Sequence, residues 1–483
     1  MSVFERFKHP SANHPASANP TGPAVLTHLP LPRKPCHARL PPPPPTIPRS
    51  TGPWLPIHHH RKEAMAMASM PEPKSSDEDL RPCEKKALHE FRARVEEAIV
   101  GTQQLVKPSG REKSKSRVAC GVEDLREVSL WGIPLLPSHG HEGTDVILLK
   151  FLRAREFKVS DAFAMLQKTL RWRREFGADN ILEDEDLGLA ELDDAAYVNG
   201  TDKEGHPVCY NICGAFKDKD LYRKTFGSKQ RRDSFLRWRV GFMEKGIQQL
   251  SFKPGGAGSL LLQVIDLKDS CGPDMKELRS ATKKVVSVLQ DNYPEFVVKN
   301  IFINVSFGYY VYHALFSNLI TPRSKSKFIF ARPSKVLETL LKYIAPEEIP
   351  VQYGGFKRED DDEFSPENPV SELVIKGGGT ATIEIPLVEP GVTVVWDITT
   401  VGWEVIYKEE FIPDDEGSYR VLIQKEKKME ESVRNSFYIN EPGKVVLTIE
   451  NRTYKKKRVY HRSKSKPTIP LYNLLNQTEH PIV

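Results

Sequence analysis

The chain has 483 residues, enough for several domains, and its 39% hydrophobic and 28% charged residues suit a protein with packed cores. Its net charge of +6 sits wholly in residues 1–64, where eight Lys/Arg stand against Glu5 and Glu63 while the other 419 residues balance, which argues against a nucleic-acid binder. No window approaches the roughly 18 apolar residues of a membrane span, residues 1–30 lack the apolar run of a secretory signal, and six scattered cysteines make no disulfide framework, so a reducing, cytoplasmic setting is expected.

Residues 1–64 hold 15 of the 38 prolines and half of the histidines, including the run Pro41–Pro45. Such a composition buries too little apolar surface to offset the entropy of ordering, so residues 1–76 are expected to be a disordered extension. The proline run is either a plain linker or a polyproline II ligand for an SH3- or WW-like partner. Within 77–120, Leu88, Phe91, Val95 and Ile99 fall three or four apart, which predicts one amphipathic helix, for packing or for a partner, and then a basic linker. Over 121–190 two helical patterns follow, Leu148, Leu149, Leu152 and Phe157, then Ala162, Met165, Leu166, Leu170 and Trp172, with a polar joint at 158–160. From 191 to 356 short apolar runs alternate with helical stretches. Strands are expected at 208–212, 259–265, 300–305 and 327–330, and helices at 230–251, 274–291, 308–319 and 333–344. This is the pattern of an α/β domain on a largely parallel sheet.

An acidic linker is expected over 357–369. Residues 370–462 then change class: Val374, Ile383, Ile385, Val394, Trp396, Trp403, Val405, Tyr407, Val421, Ile423, Val445, Leu447 and Ile449 alternate with polar residues between Pro-Gly and Asp-rich turns, as in a small all-β sandwich. Residues 463–483 read as a polar tail. Catalytic signatures are missing: there is no G-x-S-x-G elbow, Walker loop, H-E-x-x-H or G-x-G-x-x-G after a strand, and the glycine runs 255–258 and 377–379 precede strands as turns do. Cys209 and Cys213 lack the partner pair of a zinc site. No catalytic residue, metal or cofactor is therefore expected, and the chain reads as a non-enzyme.

One ordered set of motifs is distinctive. Phe151-Leu-Arg-Ala-Arg-Glu-Phe157, Val264-Ile-Asp-Leu-Lys268, Asp291-Asn-Tyr-Pro-Glu295, Phe307-Gly-Tyr-Tyr310, Pro322-Arg-Ser-Lys-Ser-Lys-Phe328 and Pro350-Val-Gln-Tyr-Gly-Gly355 together resemble the CRAL-TRIO lipid-transfer family over about residues 123–356. The β region resembles a GOLD domain, and the combination, led by Leu130-Trp-Gly-Ile-Pro-Leu-Leu136, resembles the patellin family of plants. The resemblance implies an N-terminal helical hairpin, an α/β lipid-binding domain and a GOLD-like sandwich, with a bound phospholipid as ligand. It implies phosphoinositide headgroup contacts at Arg155, Glu295, Ser324 and Lys327, with Arg153, Arg323 and Lys325 as candidates for further phosphates. Arg and Lys meet phosphate through charge-assisted hydrogen bonds, Ser donates one, and Glu accepts from inositol hydroxyls.

Burying roughly 30 methylenes at about 0.8 kcal/mol each exceeds 20 kcal/mol in gross transfer, so a cavity holding such chains must open at a membrane. The stretch 309–320 suits a gate helix, with Tyr312, Leu315, Phe316, Leu319 and Ile320 as apolar cover; an ordinary buried helix is the alternative. Members that also carry phosphatidylcholine have hydroxyl-bearing residues where this chain has Cys209, Leu261 and Gln263, so exchange of a choline lipid is not expected. Trp396 and Trp403 are core residues or partner anchors, and Lys425–Lys428 and Lys455–Arg458 are solvated loops or contacts to anionic lipid. The expectation is a peripheral membrane protein that binds phosphoinositides and anionic membrane surfaces, at the plasma membrane or cell plate. Through the family it implies roles in membrane trafficking and in cell-plate formation during division, with protein partners through the GOLD-like domain or the proline-rich arm. The alternatives are a carrier of another hydrophobic ligand and a scaffold acting through the GOLD-like domain.

Overall fold

Three helices open the fold, each held by an apolar stripe. In the computed structural model α1 (Pro82–Val100) buries Leu88, Phe91, Val95 and Ile99. Helix α2 (Gly143–Ala154) is buried from Gly143 to Leu152, and α3 (Val159–Phe176) turns Ala162, Phe163, Met165 and Leu166 inward. All three feed one hydrophobic cluster. The stripe of α1 is thus spent on packing, and α1 belongs to the helical region expected only from residue 121 onward. The structure describes residues 80–100, 128–183, 190–254, 260–270, 275–306 and 327–468, all within one compact unit, 72–483. The proline-rich extension, the linker at 101–120 and the expected gate helix lie outside the described residues.

Strands β1 (Ser129–Leu130) and β2 (Ile133–Pro134) form a small hairpin around Trp131. The central sheet has five strands in chain order: β3 (Ala196–Thr201), β4 (Pro207–Ile212), β5 (Leu261–Asp266), β6 (Val297–Ile303) and β7 (Phe328–Phe330). Only β3 runs antiparallel to its neighbour; β4 to β7 are parallel. Parallel neighbours need crossovers, which α5 (Lys229–Gln248) supplies between β4 and β5 and α6 (Lys276–Asn292) between β5 and β6. Helix α4 (Lys219–Phe226) precedes α5 and is capped by Asp218, whose carboxylate accepts from the amides of Asp220 and Leu221.

Register sorts the sheet into two faces. On one, Tyr210, Val264, Ile301 and their neighbours are buried beneath residues 331–356. The other carries two rows read straight across the strands: Val198, Cys209, Gln263, Asn300 and Phe328, then Ala196, Asn211, Ile265, Phe302 and Phe330. Cys209 and Asn211 are buried there, whereas Gln263, Ile265, Asn300, Phe302, Phe328 and Phe330 are half-buried. The helix expected at 333–344 is broken instead into a 3-10 turn, Pro333–Lys335, and a short helix, Val336–Leu340.

The C-terminal region is an antiparallel sandwich of two four-stranded sheets, made from β8 (Ser371–Ile375), β9 (Thr380–Leu387), β10 (Val392–Thr400), β11 (Ile406–Pro413), β12 (Val421–Lys428), β13 (Val433–Ile439), β14 (Gly443–Glu450) and β15 (Lys457–Pro467). Strand β15 pairs with β10 from Val459 to Pro467. Residues 463–467, expected in the tail, therefore complete the sheet. The expected acidic linker is also docked: Asp361 accepts from Arg434 at 2.6 and 2.8 Å, and the Phe364 ring lies 4.3 Å below the Arg462 guanidinium.

Fully buried Asp397 gathers Arg358 at 3.1 Å, Arg434 at 2.7 Å and Arg462 at 2.8 Å. Thr399 Oγ1 donates to the Gly354 carbonyl at 2.7 Å. Gly354 has φ +90, and a Cβ there would stand 3.0 Å from the Trp403 ring. Trp403 therefore packs the sandwich onto the α/β body. Trp396 is core, its Nε1 donating to Glu409 at 2.7 Å.

Candidate functional site

Helix α6 ends at a turn, Tyr293-Pro294-Glu295-Phe296, and every side chain of it with a polar or aromatic group is fixed. Tyr293 Oη donates to Glu244 of α5 at 2.5 Å, and the same carboxylate accepts from Arg173 of α3 at 2.5 Å. Phe296 packs edge-on to Trp131 at 4.5 Å. The Lys150 ammonium, from α2, lies 4.3 Å over the Phe296 ring and donates to the Glu295 carbonyl at 3.1 Å. Held on both sides, Glu295 adopts φ +52, a left-handed conformation that a side chain resists.

That geometry delivers the Glu295 carboxylate to Lys327, residues 32 apart in sequence. Lys327 Nζ donates to Glu295 Oε2 at 2.8 Å and to the Val297 carbonyl at 3.3 Å. The pair retains 20% and 29% side-chain exposure, enough to be reached by a ligand. Two of the four expected headgroup residues are therefore in contact. Arg155 is the C-cap of α2, half-buried, and donates to the Ala154 carbonyl at 3.1 Å instead of to Glu295. It is followed by Glu156 and Phe157 at φ +51 and +60, a strained reversal that keeps it on the helix end. Ser324, Arg323, Lys325 and the gate residues Tyr312, Leu315, Phe316, Leu319 and Ile320 lie outside the described residues.

The electrostatics of the cluster are lopsided. Lys150 is 3% exposed. Burial, then repulsion from Arg153 and Lys327 against attraction from Glu295, pushes its ammonium down to about 7. Lys299 of β6 is likewise lowered, by desolvation and then by Lys327. Lys150, Arg153 and Lys327 thus act on one another near the Glu295 carboxylate, Arg153 acting on Glu84 as well, while Lys299 turns to the opposite face of the sheet, over the Tyr343 ring at 5.6 Å. An excess of cations in a partly dry site is an anion-binding arrangement. Directly after Lys327, Phe328 begins the half-buried face of the sheet, where Phe302 stacks on Phe330 at 5.2 Å.

Lys150 was not among the residues expected from sequence. The signal was available: Val146-Ile-Leu-Leu-Lys-Phe-Leu152 is a helix apolar all round, so a lysine inside it must be buried. The other expectations resolve unevenly. Cys209, Leu261 and Gln263 do share the half-buried face, and burial drives the Cys209 thiol up to about 12. Lys425, Lys427 and Lys428 lie exposed on outer strand β12. Lys457 is instead structural, donating to the Gly402 carbonyl at 2.5 Å.

Three family models cover this architecture: CRAL/TRIO, N-terminal domain, over residues 87–168; CRAL/TRIO domain, over 193–355; and Patellin-1-like, C-terminal GOLD domain, over 376–457. The chain is 47% identical to Patellin-3 of Arabidopsis thaliana over 83% of its own length and 78% of that protein. The chain belongs to the patellin family. It is also similar to Patellin-4 of the same plant, at 56% identity over 71% of this chain, although the match spans only 62% of Patellin-4. The SEC14 cytosolic factor of Eremothecium gossypii is 31% identical over 44% of this chain and 69% of that protein. The N-terminal family match begins inside α1, in agreement with the packing of that helix in this patellin. Among the described residues no helix is long and apolar enough to cross a membrane.

Proposed function

We propose that this patellin is a non-enzymatic phospholipid carrier that takes a phosphoinositide into the α/β domain. The acyl chains would lie on the half-buried face of Ile265, Phe302, Phe328 and Phe330, and the inositol phosphate among Arg155, Glu295, Lys327 and, from the family pattern, Ser324. The observation that carries this reading is the excess of cations around Glu295 at the edge of that apolar face. Lys327 would give one bond to phosphate while Glu295 turns from it to accept from inositol hydroxyls. The protein would work as a peripheral membrane protein at a cytoplasmic anionic surface, plasma membrane or cell plate, in trafficking and cell-plate formation. The docked sandwich or the proline-rich extension would engage protein partners.

The test is uptake of phosphatidylinositol by the full chain from phosphatidylcholine vesicles, with Lys327→Ala beside it. The reading expects uptake by the wild type and a loss of about tenfold or more in Lys327→Ala, one charge-assisted bond being worth about 1.5–3 kcal/mol, with unfolding unchanged. Equal uptake by both proteins overturns it.

A further inference from the structure

We propose that the same sheet face holds a second, deeper anion site centred on Arg239, which takes an acidic lipid headed by a phosphate monoester. The proposal rests on the reading of this face as the lipid cavity, but on different residues. Helix α5 lies close on β4 and β5 because Gly246 has no side chain: a Cβ there would meet Leu261 Cδ1 at 3.2 Å and Cys209 Sγ at 3.8 Å. Arg239 comes seven residues earlier, about two turns, on that same side of the helix. A crossover between parallel strands runs back from their C-terminal ends, so this step of about 10 Å carries Arg239 toward the end of β4. It is close enough there for its charge to act on the Cys209 and Cys213 thiols, while burial lowers its own pKa.

Among the described residues the Arg239 guanidinium has no carboxylate and no hydrogen-bond acceptor. Its contacts are the rings of Trp238 and Phe242, at 5.5 and 5.3 Å. Desolvating a guanidinium without a counter-charge is unfavourable. Arg239 is half-buried and keeps its charge without a counter-ion, whereas the buried arginines are neutralised: Arg173 reaches Glu244 and Asp179, and Arg462 reaches Asp397. On the same sheet face, one row beyond Cys209, a buried group is unsatisfied. Asn211, 8% exposed, gives Nδ2 to Gln263 Oε1 at 2.8 Å, yet its Oδ1 has no partner. The pair leaves Gln263 Nε2 as a further donor.

These three groups specify the headgroup. Arg239 and Gln263 call for anionic oxygens, and Asn211 Oδ1 calls for one proton donor. A singly protonated phosphate monoester has both on one group, whereas a carboxylate and the phosphate of a diester lack the hydroxyl; phosphatidylinositol has ring hydroxyls, and the uptake comparison separates it from the monoester. A quaternary ammonium has no N–H to give and is repelled by the guanidinium. Ile265, Phe302 and Phe330 continue the row of Asn211 across the sheet and would cover the chains. Three strand spacings, about 14 Å, separate β4 from β7, so the headgroup positions at Asn211 and at Lys327 lie apart, while the two lipids would share the chain bed of Ile265, Phe302 and Phe330.

The test loads the full chain from phosphatidylcholine vesicles containing phosphatidic acid, oleate or phosphatidylinositol, and identifies retained lipid by native mass spectrometry. Wild type is expected to retain phosphatidic acid. Arg239→Met should lose at least about tenfold of that uptake and keep phosphatidylinositol, while Arg239→Lys restores most of it. Arg155→Ala/Lys327→Ala should do the reverse, so a wild type that ignores phosphatidylinositol sinks the carrier reading above and leaves the Arg239 comparison standing. Phosphatidic acid retained equally by Arg239→Met, retained by neither protein, or replaced by Arg239-dependent oleate overturns the proposal.

Discussion

Replacing Lys150 by methionine removes a buried charge while nearly conserving the length of the side chain, so little cavity is opened. Burial, with Arg153 and Lys327 repelling and Glu295 attracting, brings the ammonium from 10.5 down to about 7. Between those values the unfolded chain holds a proton that the folded chain has shed, so the stability of the wild type rises with pH through this window and is lowest below it. At 1.36 kcal/mol per pH unit the whole window is worth about 5 kcal/mol, of which about 3 kcal/mol falls between about pH 6 and about pH 9. Lys150→Met has no such dependence. Urea unfolding of both proteins at the two pH values therefore gives a stability difference that shifts in favour of the variant by about 3 kcal/mol at the lower pH, all shared groups cancelling. A difference that is flat with pH, or that moves the other way, refutes the buried, repelled ammonium and with it the cation excess around Glu295.

Asp397→Ala strips the common partner from Arg358, Arg434 and Arg462. It should lower stability by about 3–5 kcal/mol, read from denaturant midpoints, because buried arginines are left uncompensated. Burial opposes ionisation of Asp361, but the Arg434 bonds and two backbone amides hold its pKa down to about 2. Its contribution is thus present above its ordinary 3.8 and lost as pH falls from about 4 toward 2, so proteolysis of the docked linker should become faster across that range. Phe91→Ala, at a fully buried position of α1, should lower stability by about 3–5 kcal/mol. A change within about 0.5 kcal/mol would mean that α1 is detachable.

The fold was legible where burial is simple. Runs such as Val208–Ile212 and the alternation of β9 and of β11 reported their environments directly, since both faces of a central parallel strand and one face of a sandwich strand are dry. Edge strand β3 was missed because Ala196–Thr201 is half-exposed and contains Asn199 and Gly200, which carry no strand signal. The 463–467 end of β15 reads as Ser-Lys-Ser-Lys-Pro because its own side chains are mostly exposed, although the β10 residues it pairs with are half-buried or buried, and its backbone pairing is invisible to hydropathy. Glu295 and Lys327 were reached only through a family resemblance, since their contact depends on a turn fixed by Lys150, Tyr293 and Phe296. Arg239 gave no signal at all: in Phe235-Leu-Arg-Trp-Arg-Val240 it reads like its half-buried neighbour Arg237, and only the approach of α5 at Gly246 shows which side of the helix it is on.

The central claim is that this patellin holds a phosphoinositide through Arg155, Glu295 and Lys327. It is tested most directly by native mass spectrometry of the full chain after exposure to phosphatidylinositol vesicles, beside a folded Arg155→Ala/Lys327→Ala variant. The account predicts a phosphatidylinositol adduct on the wild type that is lost in the variant. An adduct of equal abundance on both, or on neither, contradicts it.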